Sequence, residues 1–163
     1  MKALSLTLAI TLSAAGACFA VQAAEPPSFE RLAVCQDSWL DWKDDSVRIG
    51  AFTRHLESQF DRSAQDGAFV PKTPLKVLGH SVAQVYPQSV GMGVGFSVVV
   101  NAGFAQARKS LEQQLGKAMT CSTSDGVRSC EVELGAKKTA LLMTGENGQA
   151  KTSLLGCYYF YQQ

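Results

Sequence analysis

The positions of the cysteines constrain the fold of this chain more than any other feature of its sequence. Five are present, and Cys18 lies in the leader described below, which leaves Cys35, Cys121, Cys130 and Cys157. An even number of cysteines in an exported chain favours disulfides, and four cysteines allow three pairings. The short spacing of Cys121 and Cys130 predicts a closed local loop, so we expect Cys35 to pair with Cys157. This second bridge joins the start of the domain to its end.

Residues 1–23 have the pattern of a secretory signal peptide. Lys2 gives a positive start, an apolar segment follows, and Val21-Gln22-Ala23 is a small-x-small cleavage signal with the cut expected after Ala23. The apolar segment is shorter than the roughly 20 residues of a membrane span, which favours cleavage over an uncleaved anchor. Residues 24–163 are therefore predicted to form a single exported globular domain with no membrane span. The expected location is the bacterial periplasm, with full secretion as the alternative.

The charge of the predicted domain narrows the classes of partner. The chain has 15 basic and 14 acidic residues, and one of the basic residues is Lys2 of the leader. A balanced charge argues against nucleic acid and against strong attachment to anionic membranes. The sequence has no Cys-x2-Cys pair, and the spacing of its two histidines is not that of metal ligands, so no metal site or cofactor is predicted.

Helical periodicity is found at the start of the domain and again in its centre. A helical region is predicted from about Phe29, and Asp44-Asp45-Ser46 offers an N-cap for a second helix. Apolar residues recur there at steps of three and four, at Ile49, Phe52, Leu56 and Phe60. The longest predicted helix covers about 103–120, with Gly116 as an unfavourable residue inside it.

The remaining segments favour strands. Residues 62–74 are predicted to be a connector, followed by strands at 75–86, 90–100, 128–134, 138–144 and 151–161, with Gly79 as a bulge and Pro87-Gln88-Ser89 as a turn. The order predicts an α+β fold: an antiparallel sheet of about five strands, N-terminal helices, the 103–120 helix packed on one face, and two disulfides. Strand 90–100 is expected to pair with strand 75–86. Both of its faces are apolar near the end, which predicts an interior strand covered on two sides.

The glycines at alternate positions, Gly91, Gly93 and Gly95, are the main candidate for a functional strand. They do not fit a dinucleotide-binding loop, because Phe96 replaces the third glycine of that motif. Alternate glycines leave one face of a strand flat, and such a face admits a large side chain from above. Trp39, Trp42 or a C-terminal tyrosine such as Tyr158 is expected to fill it. The competing interpretation is that the flat face forms the floor of a ligand groove.

Catalytic residues cannot be assigned from the sequence. Gly79-His80-Ser81-Val82-Ala83 resembles the nucleophile elbow G-x-S-x-G without its last glycine, but Ser81 falls inside a predicted strand that another strand follows. The four cysteines of the domain are expected to be oxidised. A non-enzymatic protein is therefore the expectation.

Three hypotheses about function remain. The first is a periplasmic protein that binds another protein, either an envelope component or a hydrolase or toxin that it neutralises. The second is a module that binds a small ligand or glycan through Trp39, Trp42 and the glycine strand, with Tyr158 as a further contact residue. The third is a hydrolase that uses Ser81.

Overall fold

A computed structural model describes residues 28–37, 46–64, 67–90, 93–135, 137–144 and 151–160. These residues form three helices, which we number α1 (Phe29–Ala33), α2 (Ser46–Gln59) and α3 (Phe104–Leu115). They also form nine strands, which are β1 (Phe60–Arg62), β2 (Phe69–Pro71), β3 (Lys76–Val77), β4 (His80–Val90), β5 (Gly93–Val100), β6 (Thr120–Ser124), β7 (Val127–Glu133), β8 (Lys138–Thr144) and β9 (Ser153–Phe160).

The predicted α+β fold with about five strands is wrong. The described chain is mostly an antiparallel sheet of nine strands, accompanied by only three short helices. Three of the additional strands have two or three residues each, too few for an alternating pattern to be recognised. The fourth, β6, reads Thr-Cys-Ser-Thr-Ser and has no apolar face. It forms a strand because it pairs with β7 across a tight turn at Asp125-Gly126. Both residues of this turn have positive φ.

The C-terminal strand lies near the middle of the sheet. The strand order is β1-β2-β4-β5-β9-β8-β7-β6, with β3 paired to β4, and every pairing is antiparallel. Strand β5 pairs with β4 on one side and with β9 on the other. The prediction that strand 90–100 pairs with the strand before it is therefore confirmed.

All three helices pack on one face of the sheet, which we call the helix face. The rings of Phe29 and Phe52, from α1 and α2, lie 5.8 Å and 6.2 Å from the ring of Phe96 on β5, measured between centroids. Ala107 and Leu111 of α3 are fully buried in the same apolar cluster. The register places Val85, Val98 and Leu155 on this face as well, and all three are fully buried. The hydrophobic core lies between this face and the helices.

The third helix is shorter than the predicted 103–120 span. It ends at Leu115, because Gly116 takes the left-handed conformation with φ 64° and so caps the helix. The glycine therefore acts as a stop signal instead of an unfavourable interior residue. The chain then reaches β6 at Thr120, which leaves Met119 buried just before the strand.

Three other boundaries near β4 also differ from the predictions. The predicted connector 62–74 contains β2 and the last residue of β1. Gly79, with φ 78°, belongs to the turn between β3 and β4, and the irregularity in pairing falls at Val82/Gln84. Strand β4 continues through Pro87, which lacks the N–H that a central strand would donate. Among the described residues β2 pairs with β4 at Val85 alone, so β4 has the character of an edge strand at the proline.

Both disulfides are present, with the pairing that the cysteine spacing predicts. Cys121 and Cys130 face each other directly across β6 and β7, with 4.0 Å between their Cα atoms. Cys35 and Cys157 join the end of α1 to β9, with a Cα–Cα distance of 5.1 Å. Cys35 has φ 60°, a left-handed conformation at the end of a helix that glycine usually occupies. The disulfide fixes this residue to the central strand.

Among the described helices, none combines the length and the apolar character that crossing a bilayer requires.

Candidate functional site

Only part of the predicted site falls within the described residues. Trp39, Trp42 and Gly91 lie outside them. Gly93 begins β5 and pairs with Phe160. The burial of Gly93 is not described. Gly95 and Tyr158 lie directly opposite each other on β5 and β9, so these two predicted residues are brought together.

The ring of Tyr158 covers the flat surface of Gly95. A Cβ atom added to Gly95 would lie 2.4 Å from Cδ1 and 2.5 Å from Cε1 of that ring. Tyr158 is itself only 8% exposed. The interpretation that a C-terminal tyrosine packs on the glycine strand is therefore confirmed at Gly95. The competing groove floor is covered at this position.

Next to this contact, β5 and β9 approach each other closely. Ser97 pairs with Gly156, and a Cβ on Gly156 would lie 2.6 Å from the Cβ of Ser97 and 2.7 Å from the carbonyl oxygen of Phe96. Ser97 is fully buried, and its hydroxyl has no hydrogen-bond partner among the described residues. This close contact leaves no room for a side chain at position 156.

The face of the sheet opposite the helices, which we call the outer face, carries a group of apolar side chains. Residues paired across neighbouring strands share a face. The register therefore places Val99, Leu154 and Met143 in one row across β5, β9 and β8, with Tyr86 and Leu141 in the next row. All five are half-buried, and no described helix packs over them. Ser97 and Gly156 separate Tyr86 from Leu141 in the second row. We call these five apolar residues the outer patch.

Two carboxylates border the outer patch. Glu131 lies opposite Leu141, and Glu133 lies opposite Thr139, on the same face of β7. Both glutamates are exposed. An apolar centre with a charged border is the usual anatomy of a protein–protein interface.

The outer patch is not among the sites predicted from the sequence. The run Leu141-Leu142-Met143 was the available signal, because three consecutive apolar residues make both faces of a strand apolar. Leu142 points to the core, and its two neighbours therefore point to the outer face.

Among the described residues, the serine of the elbow-like motif does not lie at a strand-to-helix turn. Ser81 is exposed on β4 and lies opposite Lys76, and β5 follows β4 without an intervening helix. Its neighbour His80 instead places its Nε2 atom 3.0 Å from the Oγ of Ser110 on α3. This is the distance of a nucleophile and a base. Within the described part of the chain, however, His80 has no further hydrogen bond to orient its ring, so we assign this pair no catalytic role.

The described residues can also be searched for a metal-binding group. Within the described ranges, no three His, Cys, Asp or Glu side chains come together in a way that could hold an ion. The four cysteines of the domain are all in disulfides.

A second surface feature lies on the helix face, where the start of α3 meets β7. It is a cavity of about 270 Å³, lined by Phe104, Ala105, Arg108, Lys109, Glu112 and Arg128. Phe104 and Arg128 are far apart in sequence, which is why no sequence pattern pointed to it.

Hydrogen bonds hold one wall of this cavity in place. Arg108 donates from Nε to Glu112 Oε1 over 2.9 Å, and its terminal nitrogen donates to the carbonyl of Met119 over 3.2 Å. The same Oε1 of Glu112 accepts the N–H of Met119 over 2.8 Å. The Met119 N–H and the Arg108 guanidinium together lower the pKa of Glu112 from its usual value.

Comparison with protein-family models, with curated proteins and with solved structures finds no match to this chain.

Proposed function

We propose that this chain is a non-enzymatic exported protein that binds another periplasmic or envelope protein through the outer patch. The observation that carries the proposal is that all three described helices pack on the helix face. Val99, Leu141, Met143 and Leu154 therefore lie half-buried on a face that no described helix covers. Contiguous apolar surface of this kind is typical of protein interaction sites.

The chemistry of the patch indicates what its partner must offer. The centre needs an apolar surface, since Leu154 and Met143 lie side by side at the middle of the sheet. The exposed carboxylates of Glu131 and Glu133 at the border favour lysine or arginine on the partner. An apolar surface flanked by basic side chains is therefore the expected complement.

The predicted signal peptide and the two disulfides support an oxidising compartment, the periplasm first and the extracellular medium second. The glycan-binding alternative loses the support of an open groove at Gly95, because Tyr158 occupies that surface. The hydrolase alternative depends on Ser81, for which the described residues supply neither a base nor an elbow. Protein binding is left as the function that the geometry supports best.

A charge placed in the outer patch tests the proposal. The purified chain is immobilised and exposed to a periplasmic extract, and retained proteins are quantified by mass spectrometry. Met143→Glu should reduce the retained partner at least about tenfold, because a carboxylate at the centre of an apolar interface is desolvated without a matching cation. Ser122→Glu is the matched control, since Ser122 lies exposed in the same row of the outer face at the edge strand. It should retain the partner as the unmodified chain does.

Two results would contradict the proposal. One is equal retention by Met143→Glu and the unmodified chain, with both proteins shown to be folded by their melting temperatures. The other is an unmodified chain that is dimeric by light scattering and becomes monomeric on Met143→Glu, because the patch would then be covered by a second copy. Should Met143→Glu fail to fold, Met143→Gln replaces it with a polar side chain of similar size.

A further inference from the structure

The cavity between α3 and β7 has an excess of positive charge. Arg108, Lys109 and Arg128 contribute three positive charges to its wall, and Glu112 contributes one negative charge. Glu112 is already engaged by Arg108 and by the backbone of Met119. Lys109 and Arg128 have no ion pair within the described part of the chain. Two cationic side chains therefore line the cavity without a counter-charge.

Arg128 is held in a defined position by an aromatic ring. Its guanidinium carbon lies 4.9 Å from the ring centroid of Phe104, the first residue of α3. The Cys121–Cys130 disulfide lies two residues further along β7 and fixes the strand that carries Arg128. A guanidinium stacked on a ring still has its N–H groups at the edge, where they can donate two parallel hydrogen bonds to a carboxylate.

The cavity also has apolar wall. Phe104 and Ala105 line it together with the charged groups, although Phe104 is only 6% exposed. A volume of about 270 Å³ admits a group of side-chain size. The lining therefore matches a short organic anion, with the oxygens of a carboxylate toward Arg128 and Lys109 and hydrocarbon toward Phe104.

We infer that this cavity is a binding site for a carboxylate group carried on a short hydrocarbon chain, as in a free dicarboxylate. Arg128 supplies the paired donors and Lys109 supplies the second positive charge. Arg128 shares a face with the Cys121–Cys130 disulfide, which contacts the core on the helix face. The site therefore lies across the sheet from the outer patch and does not depend on the proposed protein binding.

The experiment is a titration of the folded chain with succinate, followed by two-dimensional amide NMR at constant ionic strength. Saturable shifts should appear at Phe104, Lys109 and Arg128. Arg128→Gln should weaken the apparent affinity about tenfold or more, since charge-assisted hydrogen bonds are lost. The succinate affinity of Arg128→Lys should lie between that of the unmodified chain and that of Arg128→Gln. Lysine keeps the charge but not the paired donors.

The chain offers a matched control at the other end of the sheet. The guanidinium carbon of Arg62 lies 5.8 Å from the ring centroid of Phe69 and lines no part of this cavity. Arg62→Gln removes an exposed arginine beside a phenylalanine and should leave succinate affinity unchanged. An equal loss in both variants would overturn the inference, because it would reflect net charge alone.

A second arm uses inorganic phosphate at matched ionic strength. Weaker shifts with phosphate than with succinate support a carboxylate site, because phosphate has no hydrocarbon to place against Phe104. Equal or stronger binding of phosphate would overturn the carboxylate assignment. Shifts that stay linear and unsaturated in both titrations would overturn the site itself. If Arg128→Gln does not fold, Lys109→Gln on the exposed side of α3 tests the same cavity and should also weaken binding.

Discussion

At the scale of single residues, Gly95 shows why a glycine-rich strand need not be a ligand site. Its missing side chain is the space that the ring of Tyr158 occupies. The two residues are far apart in the chain but face each other because β9 pairs directly with β5. The sequence indicated the flat surface, whereas the pairing of the strands decided which residue covers it.

Gly95→Ala should therefore destabilise the protein by about 1–3 kcal/mol, the usual cost of overpacking a close contact. Gly103→Ala is the control, because Gly103 has φ −66° and nothing lies within 4 Å of an added Cβ. Gly103 is the N-cap of α3, where alanine is weaker than glycine, so this change should cost no more than about 1 kcal/mol. Urea unfolding measures both.

The same contact can be examined in a second background. In a Tyr158→Ala chain, Gly95→Ala should lower the free energy of unfolding by less than it does in the unmodified chain. The ring that the added methyl group would meet has been removed. A cost that stays the same in both backgrounds would show that the ring does not rest on Gly95.

At the scale of elements, Glu112 ties α3 to the segment before β6. Its carboxylate accepts hydrogen bonds from Arg108 on its own helix and from the backbone of Met119 beyond the helix end. Those two contacts lower its pKa below the usual 4.5 in the folded protein. The connection spans the helix stop at Gly116 and so sets how α3 meets the next strand.

Glu112→Gln should reduce stability near neutral pH and make it less sensitive to acid. Because the pKa is lower in the folded chain, the unfolded chain takes up the proton first as the pH falls. The stabilisation by Glu112 is complete above about pH 4.5 and disappears as the pH drops through the lower folded-state pKa.

Urea unfolding at several pH values measures this effect. The stability difference between the unmodified chain and Glu112→Gln should narrow below pH 4.5. Glu57→Gln, at an exposed position of α2, provides the control and should show little difference at any pH. A difference between Glu112→Gln and the unmodified chain that is constant with pH would mean that the charge of Glu112 makes no contribution.

At the scale of the whole molecule, the two disulfides close loops of very different length. Cys35 and Cys157 are 122 residues apart, whereas Cys121 and Cys130 are 9 apart. The loop-entropy model assigns about 5 kcal/mol to a closed loop of the first length and about 2.5 kcal/mol to one of the second. The long bridge also joins α1 to the central strand, where Tyr159 donates a hydrogen bond to the carbonyl of Asp37.

Replacing Cys35 and Cys157 together by serine should therefore cost more stability than replacing Cys121 and Cys130 together. Urea unfolding of the two double variants measures this difference, and thiol titration confirms that the other bridge stays intact in each. Equal losses would show that local strand pairing, and not loop length, determines what each bridge contributes.

The cysteine pairing and the strands that became β5 and β7 could be predicted from the sequence, because each depends on local spacing or periodicity. In β7, Cys130 is buried while Glu131 and Glu133 are exposed. The number of strands could not be predicted, since β1, β2 and β3 have at most three residues each and form only by pairing with neighbours. The predicted end of α3 was wrong because the conformation of Gly116 depends on where the chain must turn.

The two surfaces proposed here were decided by tertiary structure alone. The outer patch exists because every described helix packs on the same face of the sheet, which leaves Leu141 and Met143 uncovered by them. The basic cavity exists because β7 lies beside the start of α3, which places Arg128 against Phe104. By itself, the sequence determined which pairs of cysteines join and where single strands are apolar, because these follow from spacing along one chain. Which face the described helices cover depends on contacts between residues far apart in the chain, and only the folded structure fixes those.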